Sequence, residues 1–452
     1  MRTLPPTSPP ARTHRRRAAV LGGGIAGIAV AAELADSGVY EVDLIEGAPR
    51  LGGLHRSLDV GGLHYDIGAF FYDAAHPLFD LFPFLRDTCV RVAGRHLSVT
   101  PAGTLDRYPL TLRGYVRDHG RARTAAAIAD LAWCKWACRR RASLPDHLAY
   151  YLGRRMYVQS GLKTYIERLF GLPDVEIGLE FARYRLAKVA SACSWRGTAG
   201  RLVRGRTAVA EVLSPYGYVR PKLGFAAMYG PVAEALRQRG VRVRTGARID
   251  EARRAGAVHE LSVDGTVERY DDVVSTIPIP TLARLAGMER PAAVETRSLF
   301  SLFYRHSGGL RHDATYLYNF NPAGRWKRMT TFSAMYGRER GDAWFTVEGT
   351  LEAGCGEEAL DACRHDLEKT AAGFGLFDGT PEYQGGVVTA NAYPIYRPDD
   401  GPALDAARGA LRDRGFVLVG RQGAFDYLGS GTIAANARRT ARELVEQHAP
   451  QL

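Results

Sequence analysis

Hydrophobic and polar positions near the start of the chain change from a strand-like to a helix-like pattern and back. A short apolar run, Ala18 to Leu21, leads into a glycine-rich turn and then into a helix-compatible stretch, Ile25 to Ser37. A second apolar run from Glu41 to Ile45 follows, and Glu46 ends it. This order of strand, helix and strand predicts a βαβ unit.

The turn after the first strand has the spacing of a nucleotide-binding loop. Gly22, Gly24 and Gly27 follow the pattern G-x-G-x-x-G. The first glycine permits a tight turn, the second lets the backbone approach a pyrophosphate, and the third lets the helix pack close to the strand. The helix N-terminus then faces the phosphates, and Glu46 can accept hydrogen bonds from ribose hydroxyls. These features predict a dinucleotide site.

The rest of the chain is long enough for more than one lobe. Its 452 residues exceed the roughly 250 to 300 residues at which a single core stops growing. Val232 and Leu236 give a predicted helix an apolar side, whereas Val241 and Val243 alternate with arginines as in a half-buried strand.

Composition narrows the function classes. Hydrophobic content of 46% and charged content of 24% are ordinary for a globular protein. The net charge is +12, but zinc-finger spacing, RNP-like motifs and lysine-rich tracts are absent from the sequence, so we expect no nucleic-acid partner. The six cysteines contain no C-x-x-C pair, which suits a reducing cytoplasm and predicts neither a disulfide framework nor a metal site. Cys134 and Cys138 are one helical turn apart and predict a buried face.

Two segments resemble membrane signals. Arg15 to Arg17 and the apolar run behind them mimic a signal peptide, but the βαβ unit accounts for that run. We therefore predict a disordered tail over residues 1–14, no transmembrane segment and a cytoplasmic protein. Residues 125–142 combine apolar and Trp side chains with a basic cluster, which fits either contact with a membrane surface or a core helix that ends in arginines. We predict the core helix.

The loop motif continues in a form that resembles one superfamily. After Glu46 come Arg50, Gly52 and Gly53 in the pattern E-x-x-x-R-x-G-G. This resembles the FAD-binding flavoproteins that include amine oxidases, protoporphyrinogen oxidase, phytoene desaturases and UDP-galactopyranose mutase. Residues 61–73 resemble the hairpin that passes the isoalloxazine, residues 219–252 the second cofactor segment, and residues 414–445 the closing motif.

The resemblance implies an α/β fold: a discontinuous, Rossmann-like FAD-binding domain with an inserted helical and mixed α+β substrate lobe. The expected FAD-binding domain comprises residues 15–75, 206–289 and 391–452, the helical lobe residues 76–205, and the mixed lobe residues 290–390. Since no cysteine follows Cys363, a cysteinyl linkage near the C-terminus is excluded, whereas a histidine linkage stays open. We expect non-covalent FAD. The implied FAD-binding positions are Gly22, Gly24, Ile25, Ala26, Gly27, Glu46, Arg50, Gly52, Gly53, Gly68, Ile249, Gly420, Arg421 and Leu428.

The resemblance implies two chemistries. In the oxidoreductase branch the flavin accepts a hydride at N5; in the mutase branch reduced N5 attacks the anomeric carbon of a nucleotide sugar, and the net pyranose–furanose isomerisation is redox-neutral. The segment ANAYPIYRP, residues 390–398, is similar to the Tyr-Pro segment of the mutases, and Arg421 stands in a Gly-Arg pair that the mutases also carry. The candidate substrate-binding residues are Arg185, Arg325, Tyr393, Tyr396 and Arg421.

Other positions depart from both branches. The mutase hairpin histidine has no counterpart in residues 68–72, and residues 429–431, Gly-Ser-Gly, stand where the mutases have acidic residues. The lysine that amine oxidases use near N5 cannot be placed, because Lys222, Lys327 and Lys369 lie in no matching motif.

Three hypotheses follow. We predict an FAD-dependent oxidoreductase acting on a polar or anionic small molecule. A mutase-like isomerase and a noncatalytic protein that holds FAD structurally remain alternatives. NAD(P)H or another reductant is a candidate partner for the flavin, and His55, His64 and His76 are candidate acids or bases.

Overall fold

The computed structural model describes residues 15–108, 110–139, 141–179, 216–289, 295–426 and 428–448. Arg185 and the predicted tail, residues 1–14, lie outside the described residues. The helices are α1 Ile25–Asp36, α2 Leu78–Leu81, α3 Leu85–Thr88, α4 Leu112–Ala137, α5 Leu144–Leu152, α6 Arg154–Gln159, α7 Leu162–Phe170, α8 Gly224–Gln238, α9 Ile279–Leu285, α10 Ser333–Tyr336, α11 Leu360–Gly373, α12 Asp400–Asp413, α13 Gly420–Gly423 and α14 Ser430–His448.

The described strands form two large sheets and three smaller ones. They are β1 Arg16–Leu21, β2 Tyr40–Glu46, β3 Ser57–Val60, β4 Leu63–Asp66, β5 Val90–Ala93, β6 His96–Val99, β7 Leu105–Arg107, β8 Tyr216–Val219, β9 Arg242–Thr245, β10 Ile249–Ala255, β11 Val258–Val263, β12 Thr266–Tyr270, β13 Asp272–Ser275, β14 Thr296–His306, β15 Tyr316–Asn319, β16 Trp326–Thr331, β17 Ala343–Leu351, β18 Glu382–Pro394 and β19 Phe416–Leu418.

The first sheet is parallel and has the order β19-β13-β1-β2-β9. Strand β1 lies at its centre, and the residues from Ala18 to Leu21 are fully buried, as expected for a parallel strand that is covered on both faces. Helix α1 connects β1 to β2, so the predicted βαβ unit is confirmed. The α/β class is confirmed as well.

The second large sheet is mostly antiparallel and has the order β18-β14-β17-β16-β15-β6-β7. Helix α11 packs against one face of it through Cys363, Leu367 and Ala371, which share a core with Trp326 and Phe345. Strands β14, β16 and β17 are buried along most of their length. The aromatic runs SLFSLFYRH, residues 298–306, and DAWFTVEG, residues 342–349, therefore lie in interior strands of this sheet.

A buried ion pair fixes the hairpin β3–β4 to the segment before α8. Arg220 Nε donates to Asp66 Oδ1 at 2.8 Å, and the two side chains are 1% and 7% exposed. The Arg220 guanidinium also donates to backbone carbonyls of Pro221, Lys222 and His64. Since the guanidinium is fully engaged, the ion pair holds the hairpin in one position.

Helix α4 differs from its prediction. Its backbone is non-helical at Gly120, where φ is 78° and ψ is 166°, so the element bends there. Cys134 and Cys138 pack against Ala149, which confirms the predicted buried face. Trp133 and Trp136, however, are 61% and 67% exposed. The prediction of a core helix is therefore wrong for its outer face, because α5 and α6 cover one side only.

Within the described ranges, no helix is both long enough and apolar enough to cross a membrane.

We predict that Arg220→Leu lowers the free energy of unfolding by about 3 to 5 kcal/mol, because it leaves the Asp66 carboxylate buried without its partner. Urea denaturation of the purified variant measures the change. Lys222→Ala is the matched control, since Lys222 pairs with Glu339 at the surface and such pairs contribute up to about 1 kcal/mol. Equal losses in the two variants would contradict the prediction.

Candidate functional site

The glycine-rich loop lies where β1 meets α1 and is tightly packed at two of its three glycines. Gly22 has a φ of +98°, and a Cβ built on it would lie 2.5 Å from Thr276 Oγ1. A Cβ on Gly27 would lie 1.9 Å from the carbonyl oxygen of Gly22. These two positions therefore need glycine for the turn and for close packing of the helix on the strand.

Gly24 is different, because it borders open space. A Cβ built on Gly24 would meet no described atom closer than the Cα of Gly53, at 3.9 Å. Gly24 is also the N-cap of α1, and no side chain caps the helix there. The open space in front of Ile25 and Ala26, in the first turn of α1, can therefore admit a phosphate group to the helix N-terminus.

Glu46, Gly52 and Gly53 form the other side of the open space at Gly24. The Glu46 carboxylate accepts hydrogen bonds from the backbone N–H groups of Gly23 at 2.5 Å and Ala48 at 2.6 Å. Gly52 N–H donates to the Gly23 carbonyl at 2.8 Å, and a Cβ on Gly53 would lie 3.2 Å from Gly24 Cα. The E-x-x-x-R-x-G-G segment thus folds back onto the first loop.

The closing segment reaches the same place from the far end of the chain. Gly420 has a φ of +88°, and a Cβ on it would lie 2.9 Å from Ala26 Cβ. Helix α13 therefore packs on the first turn of α1. Arg50 is exposed, whereas Ile249 and Leu428 are half-buried, and their contacts with a cofactor remain predictions.

The residues present fit a dinucleotide. The loop is closed where it must turn and open at Gly24, and the uncapped α1 N-terminus faces the opening. Among the described residues, no cluster of His, Cys, Asp and Glu could hold a metal ion.

A buried group of charged residues lies on the second sheet, next to the closing segment. Lys327 Nζ donates to Tyr393 Oη at 2.6 Å and lies 3.5 Å from Glu348 Oε1. Glu348 also forms an ion pair with Arg328. The Arg421 guanidinium lies 5.2 Å from the centre of the Tyr393 ring. Lys327 and Glu348 are only 2% and 1% exposed. We call these five residues the Lys327–Tyr393 cluster.

A β-bulge in β16 makes this arrangement possible. Trp326 pairs with Gly349 and Arg328 with Glu348, so Lys327 is an extra residue in the ladder. In a regular strand consecutive side chains point to opposite faces, whereas the bulge lets two consecutive cations reach the same carboxylate.

The cluster also contacts the hairpin segment that contains Gly68. A Cβ on Gly68 would lie 3.3 Å from Glu348 Oε2, and Ser301 Oγ donates to the neighbouring Ile67 carbonyl at 2.7 Å. A continuous series of contacts therefore leads from α1 through Gly420 and Arg421 to Tyr393, and from there to Gly68.

The electrostatics of the cluster lower the pKa of Tyr393. Burial raises the pKa of this phenol, but the positive charge of Lys327 and those of Arg328 and Arg421 outweigh it, so the pKa lies below its ordinary value. For Arg328, burial acts to lower the pKa, and Glu348 outweighs it and raises the pKa. Arg328 therefore keeps its positive charge.

The other candidate residues fall in different places. Tyr396 packs against Phe425 with ring centres 4.5 Å apart and is buried in the core. Arg325 is exposed, and its backbone N–H donates to Asp366 of α11. The structure brings Tyr393 and Arg421 together and does not place Arg325 with them. Arg185 lies outside the described residues.

The candidate histidines are poorly suited to proton transfer at neutral pH. Burial lowers the pKa of His55 to about 3 and that of His76 to about 4, so both are neutral at pH 7. His55 Nδ1 lies 2.7 Å from the hydroxyls of Tyr72 and Tyr229. Burial also lowers the pKa of His64. The structure instead brings together the buried charges of Lys327 and Glu348. From the sequence, Lys327 was placed in no matching motif and Glu348 was not considered.

The fold and the loop together define a dinucleotide-binding α/β protein. The chain belongs to the family of flavin-containing amine oxidoreductases, whose model matches residues 25–308, more than half of the chain. It is therefore a flavoenzyme of the FAD-dependent amine oxidase superfamily. Among curated protein sequences, no significant match was found.

Solved structures with the same fold carry several activities. A reduced UDP-galactopyranose mutase is 15% identical, with a TM-score of 0.75 and 96% of each chain covered. A protein assigned as a protoporphyrinogen oxidase from Exiguobacterium sp. 255-15 is 17% identical, with a TM-score of 0.72 and coverage of 96% of this chain and 99% of that one. Cyclohexylamine oxidase from Brevibacterium oxydans IH-35A is 16% identical, with a TM-score of 0.62 and coverage of 96% and 99%. At these identities the likeness establishes the fold alone.

We predict that Gly24→Val abolishes FAD binding, because the added methyl groups would fill the opening that admits the pyrophosphate. The variant should purify without flavin absorbance and keep its circular-dichroism spectrum, since a Cβ at this position meets no described atom within 3.8 Å. Gly409→Val is the matched control: a Cβ on Gly409, in α12, also meets no atom within 4 Å, and that variant should retain full flavin. A Gly24→Val protein that purifies with bound flavin would contradict the assignment of this loop as the FAD site.

Proposed function

We propose that this flavoenzyme is an oxidoreductase that acts on an anionic small molecule bound beside Tyr393, Lys327 and Arg421. The observation that carries the proposal is the buried contact of Lys327 Nζ with Tyr393 Oη at 2.6 Å, in a cluster that also contacts the closing segment and the Gly68 hairpin. FAD bound in the glycine-rich loop would supply a hydride acceptor at N5.

The charge of the cluster supports an anionic substrate. Lys327, Arg328 and Arg421 contribute three positive charges, and Glu348 contributes one negative charge. Even with Tyr393 as a phenolate, the cluster keeps a net positive charge in a largely dehydrated site. Arg328 and Arg421 supply two guanidinium groups, and such groups favour carboxylate and phosphate ligands.

Tyr393 and Lys327 form an acid–base pair. A phenolate at Tyr393 can accept the proton that a substrate hydroxyl or ammonium group releases, and Lys327 stabilises the phenolate by its charge and its N–H donor. The substrate loses two electrons in all, and a separate acceptor must restore the oxidised enzyme. The remaining cations orient the anionic group of the substrate.

We predict that Lys327→Met raises the pKa of Tyr393, because the lysine charge is the principal cause of its lowered value. Tyrosinate absorbance is measured against pH in the wild type and in Lys327→Met. From each curve, the curve of the same protein with the additional change Tyr393→Phe is subtracted, which leaves the titration of Tyr393. The midpoint should move to higher pH in Lys327→Met and stay in place in Lys369→Met, which changes an exposed lysine of α11. An unmoved or lowered midpoint would refute the acid–base pair.

An anionic ligand should bind beside the flavin and depend on Arg421. We expect benzoate to shift the flavin spectrum of the holoenzyme saturably and the uncharged isostere benzamide to have little effect. Arg421→Gln should weaken benzoate binding about tenfold or more, since a charge-assisted hydrogen bond contributes about 1.5 to 3 kcal/mol. Arg325→Gln, at an exposed position, is the control. Equal binding of benzoate and benzamide would contradict an anionic substrate.

A second candidate function is a mutase-like isomerase of a nucleotide sugar. The contact between the Tyr393 ring and the Arg421 guanidinium favours it, because both residues match positions that the sequence resemblance relates to the mutases. Titrating the oxidised and dithionite-reduced holoenzyme with UDP, GDP and dTDP separates the two functions. A saturable shift with one nucleotide, weakened by Tyr393→Phe, would favour the isomerase; benzoate binding without any nucleotide response would favour the oxidoreductase.

A further inference from the structure

The outer side of α4 is apolar and exposed along the segment that follows the bend at Gly120. Ile128, Trp133 and Trp136 are 50%, 61% and 67% exposed, and the indole rings of the two tryptophans lie 5.2 Å apart. The members of this surface, which we call the α4 outer face, are all exposed and uncharged: Ala122, Ala125, Ile128, Ala129, Ala132, Trp133, Trp136 and Ala137.

The inner side of the same segment is already packed against other parts of the chain. Thr124, Ala127 and Cys134 are buried, and a Cβ on Gly153 would lie 3.0 Å from Leu131 Cα. The carboxylate of Asp130 accepts the backbone N–H of Arg155 at 2.8 Å. Helices α5 and α6 therefore cover the inner side of α4, and the large apolar side chains point the other way.

Positive charge lies at both ends of the α4 outer face. Arg121 and Arg123 are exposed at one end, and Arg139 and Arg141 at the other. Lys135 lies over the ring of Tyr150 at 4.5 Å, and the Arg141 guanidinium donates to Tyr151 Oη at 2.9 Å. Trp and Tyr side chains mixed with Lys and Arg are typical of the boundary between lipid headgroups and acyl chains.

We propose that the α4 outer face binds the surface of an anionic phospholipid bilayer. The helix lies in the headgroup plane, with Trp133, Trp136 and Ile128 inserted and the arginines at its two ends paired with lipid phosphates. The 17 residues from Arg121 to Ala137 measure about 25 Å along the helix axis at about 1.5 Å per residue, which suits a helix that lies on a membrane. The net charge of +12 adds attraction to the anionic surface.

Charge favours lipid over a second copy of the chain. If two α4 outer faces packed against each other in parallel or antiparallel orientation, arginines would meet arginines at both ends, and like charges repel. An anionic bilayer neutralises both ends at once. The inference uses no residue of the Lys327–Tyr393 cluster and does not depend on the proposed function.

Vesicle co-sedimentation of the full-length holoenzyme tests the proposal. We expect binding to vesicles of phosphatidylcholine mixed with phosphatidylglycerol, weaker binding to phosphatidylcholine alone, and a loss of binding as salt is raised. Trp133→Ala with Trp136→Ala should lower the partition coefficient at least tenfold. Arg139→Gln and Arg141→Gln should lower it about fivefold each. Flavin content and the circular-dichroism spectrum should not change.

Matched variants distinguish vesicle binding through the α4 outer face from non-specific binding. Leu223→Ala with Val267→Ala removes side chains that are 67% and 60% exposed elsewhere, and Arg439→Gln removes an exposed cation of α14. Both should bind vesicles like the wild type. The proposal is overturned if the wild type does not bind the anionic vesicles, or if the tryptophan variant binds them equally well. Self-association that the tryptophan variant abolishes, without vesicle binding, would instead assign the face to a second copy.

Discussion

The pairing of β1 with β13 is the constraint on which the rest of the molecule depends. An ion pair between Arg16 and Asp272, 3.0 Å long, joins these strands across 256 residues of sequence. Because parallel strands share one carboxyl edge, this pairing brings the segments that follow β1, β13 and β19 to the same place. Thr276 after β13 bonds to the Leu21 carbonyl at 2.8 Å, and Gly420 after β19 packs on Ala26. The pairing of strands in this one sheet therefore assembles a site from segments that are distant in sequence.

The local part of this architecture could be predicted from the sequence, and the long-range part only through a family resemblance. The βαβ unit needs only apolar runs and three spaced glycines, which are visible within 30 residues. The cluster on the second sheet was missed for a specific reason. Period-2 alternation places consecutive residues on opposite faces, so Lys327 and Arg328 could not both be assigned to one carboxylate until the bulge opposite Glu348 was known. Tyr393 was found because a short motif marked it.

Helix α4 shows a different limit of pattern analysis. Apolar residues around much of a helix are compatible with a buried helix, and the periodicity does not say which side is covered. In this protein the side that packs on α5 and α6 carries small residues such as Ala127 and Cys134, whereas the tryptophans face outward. A helix in water alone would have the opposite arrangement, because large apolar side chains gain most from burial. Because the small residues are buried and the large apolar ones are exposed, we infer that the outer face contacts a second apolar environment.

Stability does not explain the Lys327–Tyr393 cluster. Removing charges from water costs several kcal/mol per ion, and well-packed apolar residues at such positions are often as stable or more stable. Here Lys327, Arg328 and Glu348 are all buried on strands whose neighbours include Met329, Val347 and Trp326, so an apolar alternative would fit the surrounding sheet. Such an arrangement is reasonable where buried charges serve a ligand, and the closing segment connects this cluster to the glycine-rich loop through Arg421 and Gly420.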